Sequence, residues 1–420
     1  MNSVENTHLH EATIDEVVIT VVMARVTDFF GFFVYAIASA LVFPRLFFPT
    51  FDPVTGTLLS FAIFSLAFLA RPVASMSGRM IQRKIGRAGK VTLALLILGT
   101  ATVAIGMLPG FESIGWWAPI LLAVLRICQG LGLGGAWDGL TLQLQHSAPE
   151  NKQGFYAMVP QLGGPIGFVV AASLFYVLTG FLTEEEFFTF GWRFTFFAVF
   201  AVNVVSLFAR LRLLNADWGV EEELVTSAPI RELIETQWRP ILLSAFLPLA
   251  SYALFHMVTV FPLGITSLFT GRDISDILFL QLIGGTLAVF AVIATGLLAD
   301  RFGRRYVLGL STGLILVLCL LVGTLATNPA IFILFGFVVL GLTYGQASAI
   351  VPRRFERKYR YSGTALATNI SWILGAAFAP LVGLGLVVGI GLWAAGIYLL
   401  SGAVVTFVAL RILSNSEAAT

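Results

Sequence analysis

The chain has 420 residues, of which 58% are hydrophobic and only 11% charged, with a formal net charge of +2. Soluble domains carry about 25% charged residues, so there are too few polar groups here to cover a water-facing surface, and a soluble enzyme is excluded. A spanning helix takes about 20 apolar residues, and the length accommodates about twelve spans joined by short loops.

The chain opens on a polar tail, residues 1–16, whose Glu5, Glu11, Asp15 and Glu16 carry the wrong charge for the start of a signal peptide. Apolar runs at 17–46, 56–77, 91–109, 117–146, 155–180 and 191–213 predict six membrane spans. The longest polar stretch follows at 214–238, with Asp217, Glu221, Glu222, Glu223, Arg231, Glu232 and Glu235. It reads as a linker, in which 231–235 forms either a short interfacial helix or a solvated strand of chain. A second set of six runs occupies 239–268, 276–299, 306–327, 330–351, 362–387 and 389–412, and residues 413–420 form a tail. No segment alternates with period two over about 10 residues, which excludes a β-barrel. The expected fold is an all-α membrane protein of twelve transmembrane helices in two pseudo-symmetric six-helix halves, 17–213 and 239–412. Cys128 and Cys319 lie inside apolar runs in different halves, so neither a disulfide framework nor a cysteine metal site is expected. No cofactor, metal or nucleic-acid partner is expected.

Loop charge sets the orientation. Arg79, Arg83, Lys84, Arg87 and Lys90 follow the second run, Arg301, Arg304 and Arg305 the eighth, and Arg353, Arg354, Arg357, Lys358 and Arg360 the tenth. Loops of opposite parity hold Asp52, Glu112 and Glu184 to Glu186, with Arg45 and Arg272 as basic exceptions. Positive loops stay cytoplasmic, which puts both termini in the cytoplasm of a multi-pass protein of the cell (inner) membrane.

The halves echo each other. Gly78 to Arg87 (GRMIQRKIGR) and Gly296 to Arg305 (GLLADRFGRR) each join two apolar runs, and Gly86 and Gly303 are 217 residues apart (303 − 86). Tyr35-Ala36 precedes Val42-Phe43-Pro44 as Tyr252-Ala253 precedes Val260-Phe261-Pro262, at offsets of 217 and 218. Internal duplication of this kind marks two-halved secondary transporters.

These segments resemble the major facilitator superfamily, and more narrowly its metabolite:proton symporter family, which includes shikimate, proline/betaine and α-ketoglutarate carriers. The resemblance rests on 296–305, Tyr35 to Pro49, Arg71-Pro72, Arg126 to Gly135 (RICQGLGLGG), Pro160 to Gly163, Gly191-Trp192-Arg193 and Ser362-Gly363 with Pro380. It implies a central cavity opened to alternate sides. It also implies a gate built on Gly86, Arg87, Gly296, Asp300, Arg301, Gly303 and Arg304, with the loop aspartate capping a helix end. The chain departs from the family where Gln82 and Arg83 replace the first hairpin's acid, where the early acid is Asp28 rather than a residue near Gly31, and where Ala136 follows Gly134-Gly135. The first hairpin, all cation, is expected to brace less well than the second, or to serve only as a topology anchor.

Charges inside the bilayer cost about 2.5–3.5 kcal/mol even on a mild scale, so the few present need a reason. Arg25 and Asp28 share one face of the first span, and Arg126 and Asp138 lie in the fourth. At 1.5 Å per residue, Asp28 and Arg126 both fall near mid-membrane, while Arg25 and Asp138 lie about 12 Å from the cytoplasmic side. Depth therefore predicts the pairs Asp28–Arg126 and Arg25–Asp138, serving either as a proton switch or as simple neutralisation that holds two spans together. Arg126 and Arg25 suit a carboxylate substrate. A betaine-type cation would instead favour Asp28 or Asp138 with Trp137, Tyr252 or Trp372. Tyr35, Tyr252, His256, Gln161 and Asn369 are further cavity candidates, with packing or interhelical hydrogen bonding as the alternative for each, as for Gln129 and Gln143. Gly163-Gly164-Pro165 resembles the kink of some antiporters, and Arg193 reads as an interface anchor.

The expected function is secondary active transport of a small organic metabolite, more readily a carboxylate, by proton-coupled symport, in a monomer whose partners are substrate, protons and lipid bilayer. An exchanger, a betaine carrier or a non-transporting membrane sensor are the alternatives. His10 and Asp15 fit a His-x4-Asp acyltransferase pattern, but no polar cluster surrounds them. No Gly-x4-Gly-Lys-Ser/Thr loop is present, so the chain itself does not pump with ATP.

Overall fold

Long apolar runs in lipid satisfy their backbone groups only as helices, and the described chain is helical with no strand. The computed structural model describes residues 14–136, 144, 148–214, 229–347 and 351–418. Eleven helices are long and apolar enough to cross a membrane, and a bent pair, Glu184–Gly191 with Arg193–Phe208, makes a twelfth.

In chain order α1 is Ile14–Leu41. The helical run Pro53–Met107 turns at Gly86, so that α2 is 53–85 and α3 is 87–107. Then come α4 (Trp117–Gly135), α5 (Glu150–Phe181) and the bent α6 (Glu184–Phe208). A junction helix, Ile230–Phe246, breaks at Gln237 and leads into the second half. There α7 is Leu249–Thr270, α8 Ile274–Phe302, α9 Arg304–Leu321, α10 Pro329–Ala347, α11 Arg357–Ile390 and α12 Leu392–Ser414. The junction helix carries an Arg231–Glu235 pair at 2.8 Å, and Glu232 accepts from Lys358 and from Tyr359 Oη at 2.6 Å. Residues 231–235 thus form a helix held to the start of α11.

The duplicated sequence segments fold alike. Gly86 has φ 75° and Gly303 φ 86°, a left-handed geometry that would cost an L side chain about 1–2 kcal/mol, so each hairpin turns on its glycine. Val42-Phe43-Pro44 and Val260-Phe261-Pro262 each restart a helix, Phe43–Phe47 and Phe261–Ile265, with proline in the first turn. There its missing N–H costs nothing. Asp52 and Asp273 cap the helices that follow, accepting from Val54, Thr55 and Ser275 amides. The basic exceptions on this acidic side are both engaged: Arg45 pairs with Glu184 at 2.5 Å and Arg272 donates to the Thr327 carbonyl at 2.8 Å.

The halves meet through α5 against α8 and α2 against α11. Between them lies an aromatic core to which α1 gives Phe29, Phe32 and Phe33, α2 Phe64 and Phe68, and α7 Phe255 and His256. Contacts close both sides of this core. On the basic side Gly154 meets Asp300. On the acidic side Phe61 approaches Gly264 and Tyr176 packs on Phe279.

Candidate functional site

Helix packing first fixes where the buried cations sit. A Cβ on Gly134 of α4 would lie 2.2 Å from the Arg71 carbonyl, and one on Gly163 of α5 would lie 2.4 Å from Arg25 Cβ. These glycines let α4 ride on α2 and α5 on α1, and they bring Arg71 and Arg25 to the interface between halves. The glycine-proline segment at 163–165 thus acts as a packing notch.

The second half supplies the facing wall. Trp372 ends the regular part of α11, and a π turn, Ile373–Ala377, follows it. Such turns leave carbonyls unpaired, and here Tyr398 Oη donates to Leu374 O at 3.2 Å and Gly375 O at 2.9 Å. Trp372 stacks on Tyr252 at 4.3 Å, Tyr344 packs 6.2 Å from Tyr252, and Phe29 of α1 closes the group 6.1 Å from Trp372.

Into this box project three charges. Arg25 sits 5.1 Å from the Phe29 ring, lies within electrostatic reach of Tyr344, and is 3.7 Å from Asp28. Arg71 sits 5.8 Å from the Trp372 ring and within electrostatic reach of Arg25, Asp28, Tyr252 and Tyr344. Asp28 accepts at 2.7 Å from Nη2 of Arg210, in the helical continuation of α6 that runs to Leu214, and the same nitrogen donates to the Ala24 carbonyl at 2.9 Å. Arg71 makes no hydrogen bond or ion pair among the described residues, and the Nε atoms of Arg25 and Arg71 are buried without a partner.

Another buried cation lies elsewhere. Arg126 stacks 3.8 Å from the Tyr35 ring, donates to the Phe64 carbonyl at 3.2 Å and to Gln129 at 3.0 Å, and leaves Nη2 unpartnered. Gln129 in turn donates to Thr102 at 2.9 Å.

The expected pair Asp28–Arg126 does not form. Asp28 is held by Arg210 and Arg25, and Arg126 meets no carboxylate among the described residues. The cause is geometric. Arg126 is level with Tyr35, two helical turns beyond Asp28 on α1, which is about 10 Å at 1.5 Å per residue. Depth counted from uncertain span ends erred by that amount. Arg25 lies 3.7 Å from Asp28; the expected pair Arg25–Asp138 falls on Asp138, which with Trp137 and Gln143 lies outside the described residues.

The remaining candidates separate into three places. Tyr252 and Trp372 join Arg25 and Asp28 in the box. Tyr35 and His256 belong to the Arg126 centre, where the imidazole lies among Phe32, Phe64 and Phe68 with Nδ1 3.4 Å from Thr259 Oγ1. Asn369 donates to Ser75 Oγ at 2.9 Å and so bridges α11 to α2, while Gln161 is buried in the tight turn Val159–Leu162 of α5. Arg193 donates to the Gly106 and Leu108 carbonyls at 2.7 and 3.0 Å, so it caps the end of α3 in addition to lying at the membrane edge. Arg71, Arg210 and Tyr344 were not anticipated as site residues. A charge in the middle of the run 56–77 was the available signal for Arg71. Arg210 was masked by its closeness to the end of its run.

On the basic face, Asp300 accepts from the Gly154 amide at 2.5 Å and the Phe155 amide at 3.0 Å. It caps the first turn of Gln153–Met158 across the boundary between halves, where the helix dipole favours an anion. Arg304 Nη2 donates to the Gln153 carbonyl at 2.5 Å, and a side chain on Gly296 would strike Met158. Arg301 lies over the neighbouring Phe302 ring at 5.2 Å. The first hairpin lacks an acid, with Arg83 at the place of Asp300 (300 − 217). There the crossing bonds include Lys90 to Tyr361 Oη at 3.3 Å and Asn369 to Ser75 Oγ at 2.9 Å. Replacing Asp300 by Asn removes charge-assisted bonds that contribute about 1.5–3 kcal/mol, which shifts the closed-to-open balance 10- to 100-fold. In a background lacking Cys128 and Cys319, D300N is expected to speed labelling of a cysteine at Gln153 by a membrane-impermeant thiol reagent.

Comparison with known proteins agrees with this architecture. The Major Facilitator Superfamily model matches residues 29–380. The inner membrane metabolite transport protein YhjE of Escherichia coli K12 is 35% identical over 418 residues, covering 96% of this chain and 94% of that protein. The shikimate transporter of the same organism is 30% identical, covering 94% and 93%, and its proline/betaine transporter 28%, covering 85% and 75%. Among solved structures, a D-xylose-proton symporter superposes with a TM-score of 0.72 at 14% identity, covering 94% of this chain and 97% of the other. With its helices, its duplicated hairpins and these relatives, the chain belongs to the Major Facilitator Superfamily and is a multi-pass membrane transporter rather than an enzyme.

Proposed function

We propose that this protein carries a small organic anion, a carboxylate metabolite, across the inner membrane as a monomer by alternating access, in symport with protons. The basic face, with both termini, is cytoplasmic. The observation that carries the reading is a charge imbalance. In the membrane interior Arg25 and Arg71 face one carboxylate among the described residues, Asp28, which Arg210 also holds, and Arg126 meets none. Buried cations without anions are costly, and an incoming carboxylate supplies the missing charge. Arg25 and Arg71 offer it bidentate partners, and Trp372, Tyr252 and Tyr344 form the apolar wall that small-molecule sites use.

Asp28 is the proton acceptor in this reading. It is the carboxylate nearest the bound anion, and its hold on Arg25 and Arg210 weakens when it is protonated. Arg25 is then released toward the substrate, so proton and anion travel together. The shikimate transporter among the relatives suits a carboxylate cargo, and the proline/betaine transporter keeps a zwitterion in view.

The test is uptake into proteoliposomes with and without an imposed pH gradient, using a panel of cyclic and linear carboxylates, proline and betaine. Accumulation of a carboxylate driven by an inward proton gradient supports the proposal. Accumulation of betaine alone points to the cation carrier, exchange without accumulation to an antiporter, and binding without flux to a sensor.

A further inference from the structure

The two hairpins differ in how their charge is met. In the second, Asp300 engages α5. In the first, the corresponding Arg83 and its neighbour Lys84 are exposed and make no ion pair or hydrogen bond among the described residues. Both cations line a groove of about 700 Å³ together with Val73, Met76, Ser77 and Met80 of α2 and Pro229 and Ile230 at the start of the junction helix. That volume falls within the range of small-ligand sites.

The groove has a polarity. Positions 73, 76, 77, 80, 83 and 84 fall at helical spacings of three and four, so they form one stripe along α2. The stripe runs about 15 Å, at 1.5 Å per residue, from an apolar end to a basic one. Val73 is 59% and Met80 65% exposed, so the apolar end faces the surroundings of the helix bundle rather than its core. The basic end lies at the membrane boundary, level with the other basic loops. A soluble anion leaves the apolar wall unexplained, and a neutral lipid leaves the two cations unexplained.

We propose that this groove binds one anionic phospholipid, with its phosphate on Arg83 and Lys84 and an acyl chain along Met80, Met76 and Val73. Basic pockets at the cytoplasmic boundary of helix bundles recognise such headgroups by charge. The lipid's phosphate supplies the negative charge that the first hairpin lacks and pins α2 to the junction helix, the only covalent path between halves.

The experiment uses the full chain purified in detergent. Phosphatidylglycerol is expected to raise its thermal unfolding temperature by several degrees beyond phosphatidylcholine, and native mass spectra are expected to show one retained phosphatidylglycerol. R83Q/K84Q removes both effects while unfolding at the same temperature as wild type without lipid. V73W/M76W, which fills the groove with both charges intact, removes them as well. The proposal is overturned if phosphatidylcholine protects equally, if inorganic phosphate protects as well as the lipid, or if either double variant keeps the full response. It is also overturned if the response is absent in wild type and emerges only in E221Q/E222Q/E223Q, which would assign the groove to the chain's own acidic linker.

Discussion

Replacing Arg71 by glutamine is expected to lower carboxylate uptake 10- to 100-fold while leaving thermal stability unchanged or raised. The two effects have one origin. The Arg71 guanidinium faces the Trp372 ring and makes no hydrogen bond or ion pair among the described residues. The side chain is half-buried with its Nε shut off from any partner, and that loss of hydration opposes folding. Removing it therefore costs the fold nothing. A bound carboxylate, by contrast, loses a charge-assisted contact of about 1.5–3 kcal/mol, which is the stated factor. Arg71→Lys keeps the charge but loses the planar fork, so its uptake should lie between the two. Apparent affinity for the carboxylate, measured by uptake kinetics alongside unfolding temperature, checks both halves of the expectation. A variant that transports normally, or that fails to fold, places Arg71 in the scaffold instead. R126Q is the useful contrast. Arg126 ties α4 to the Phe64 carbonyl of α2 and stacks on Tyr35 of α1, so its loss should lower stability.

Asp28→Asn should be the most destabilising single change among the site residues, by about 3–5 kcal/mol, because it breaks the buried Asp28–Arg210 pair. Arg210 has 2% of its side chain exposed and cannot turn to water. The double variant D28N/R210Q removes the cation together with its carboxylate and should fold again. Transport by that double variant then separates structure from coupling. If Asp28 carries the proton, the double variant exchanges labelled for unlabelled substrate but no longer accumulates it when a pH gradient is imposed. If it accumulates substrate as wild type does, Asp28 only neutralises its neighbours, and the proton path lies elsewhere.

What could be read from the chain followed the range of the interactions involved. Apolar runs, the glycine at each hairpin and the Val-Phe-Pro helix restarts depend on neighbours in sequence. Their geometry followed from the residues, as the matching φ of Gly86 and Gly303 shows. The partner of Asp28 depends on which helix lies beside α1 and at what height. Depth counting supplies one coordinate of three, and that one was off by two turns. The notches that decide the lateral arrangement, Gly134 against the Arg71 carbonyl and Gly163 against Arg25, look like any other glycines in an apolar run. Tyr344 could not be singled out because its neighbours in sequence are ordinary span residues, and it becomes part of the box only through contact with Tyr252 and Phe255.

The unequal fastening of the two basic-side seams has a mechanical consequence. Between α5 and the second half the fastening includes the α8 carboxylate on two backbone amides, Arg304 of α9 on a carbonyl, and Gln346 of α10 on the Gly154 carbonyl at 3.0 Å. Between the first hairpin's helices and α11 it includes Lys90 of α3 on a phenol at 3.3 Å and the Asn369 amide on the hydroxyl of Ser75 of α2. The first seam holds through a carboxylate and the second, in its named contacts, through neutral and cationic side chains, so D300N is expected to loosen the first and leave those contacts of the second in place.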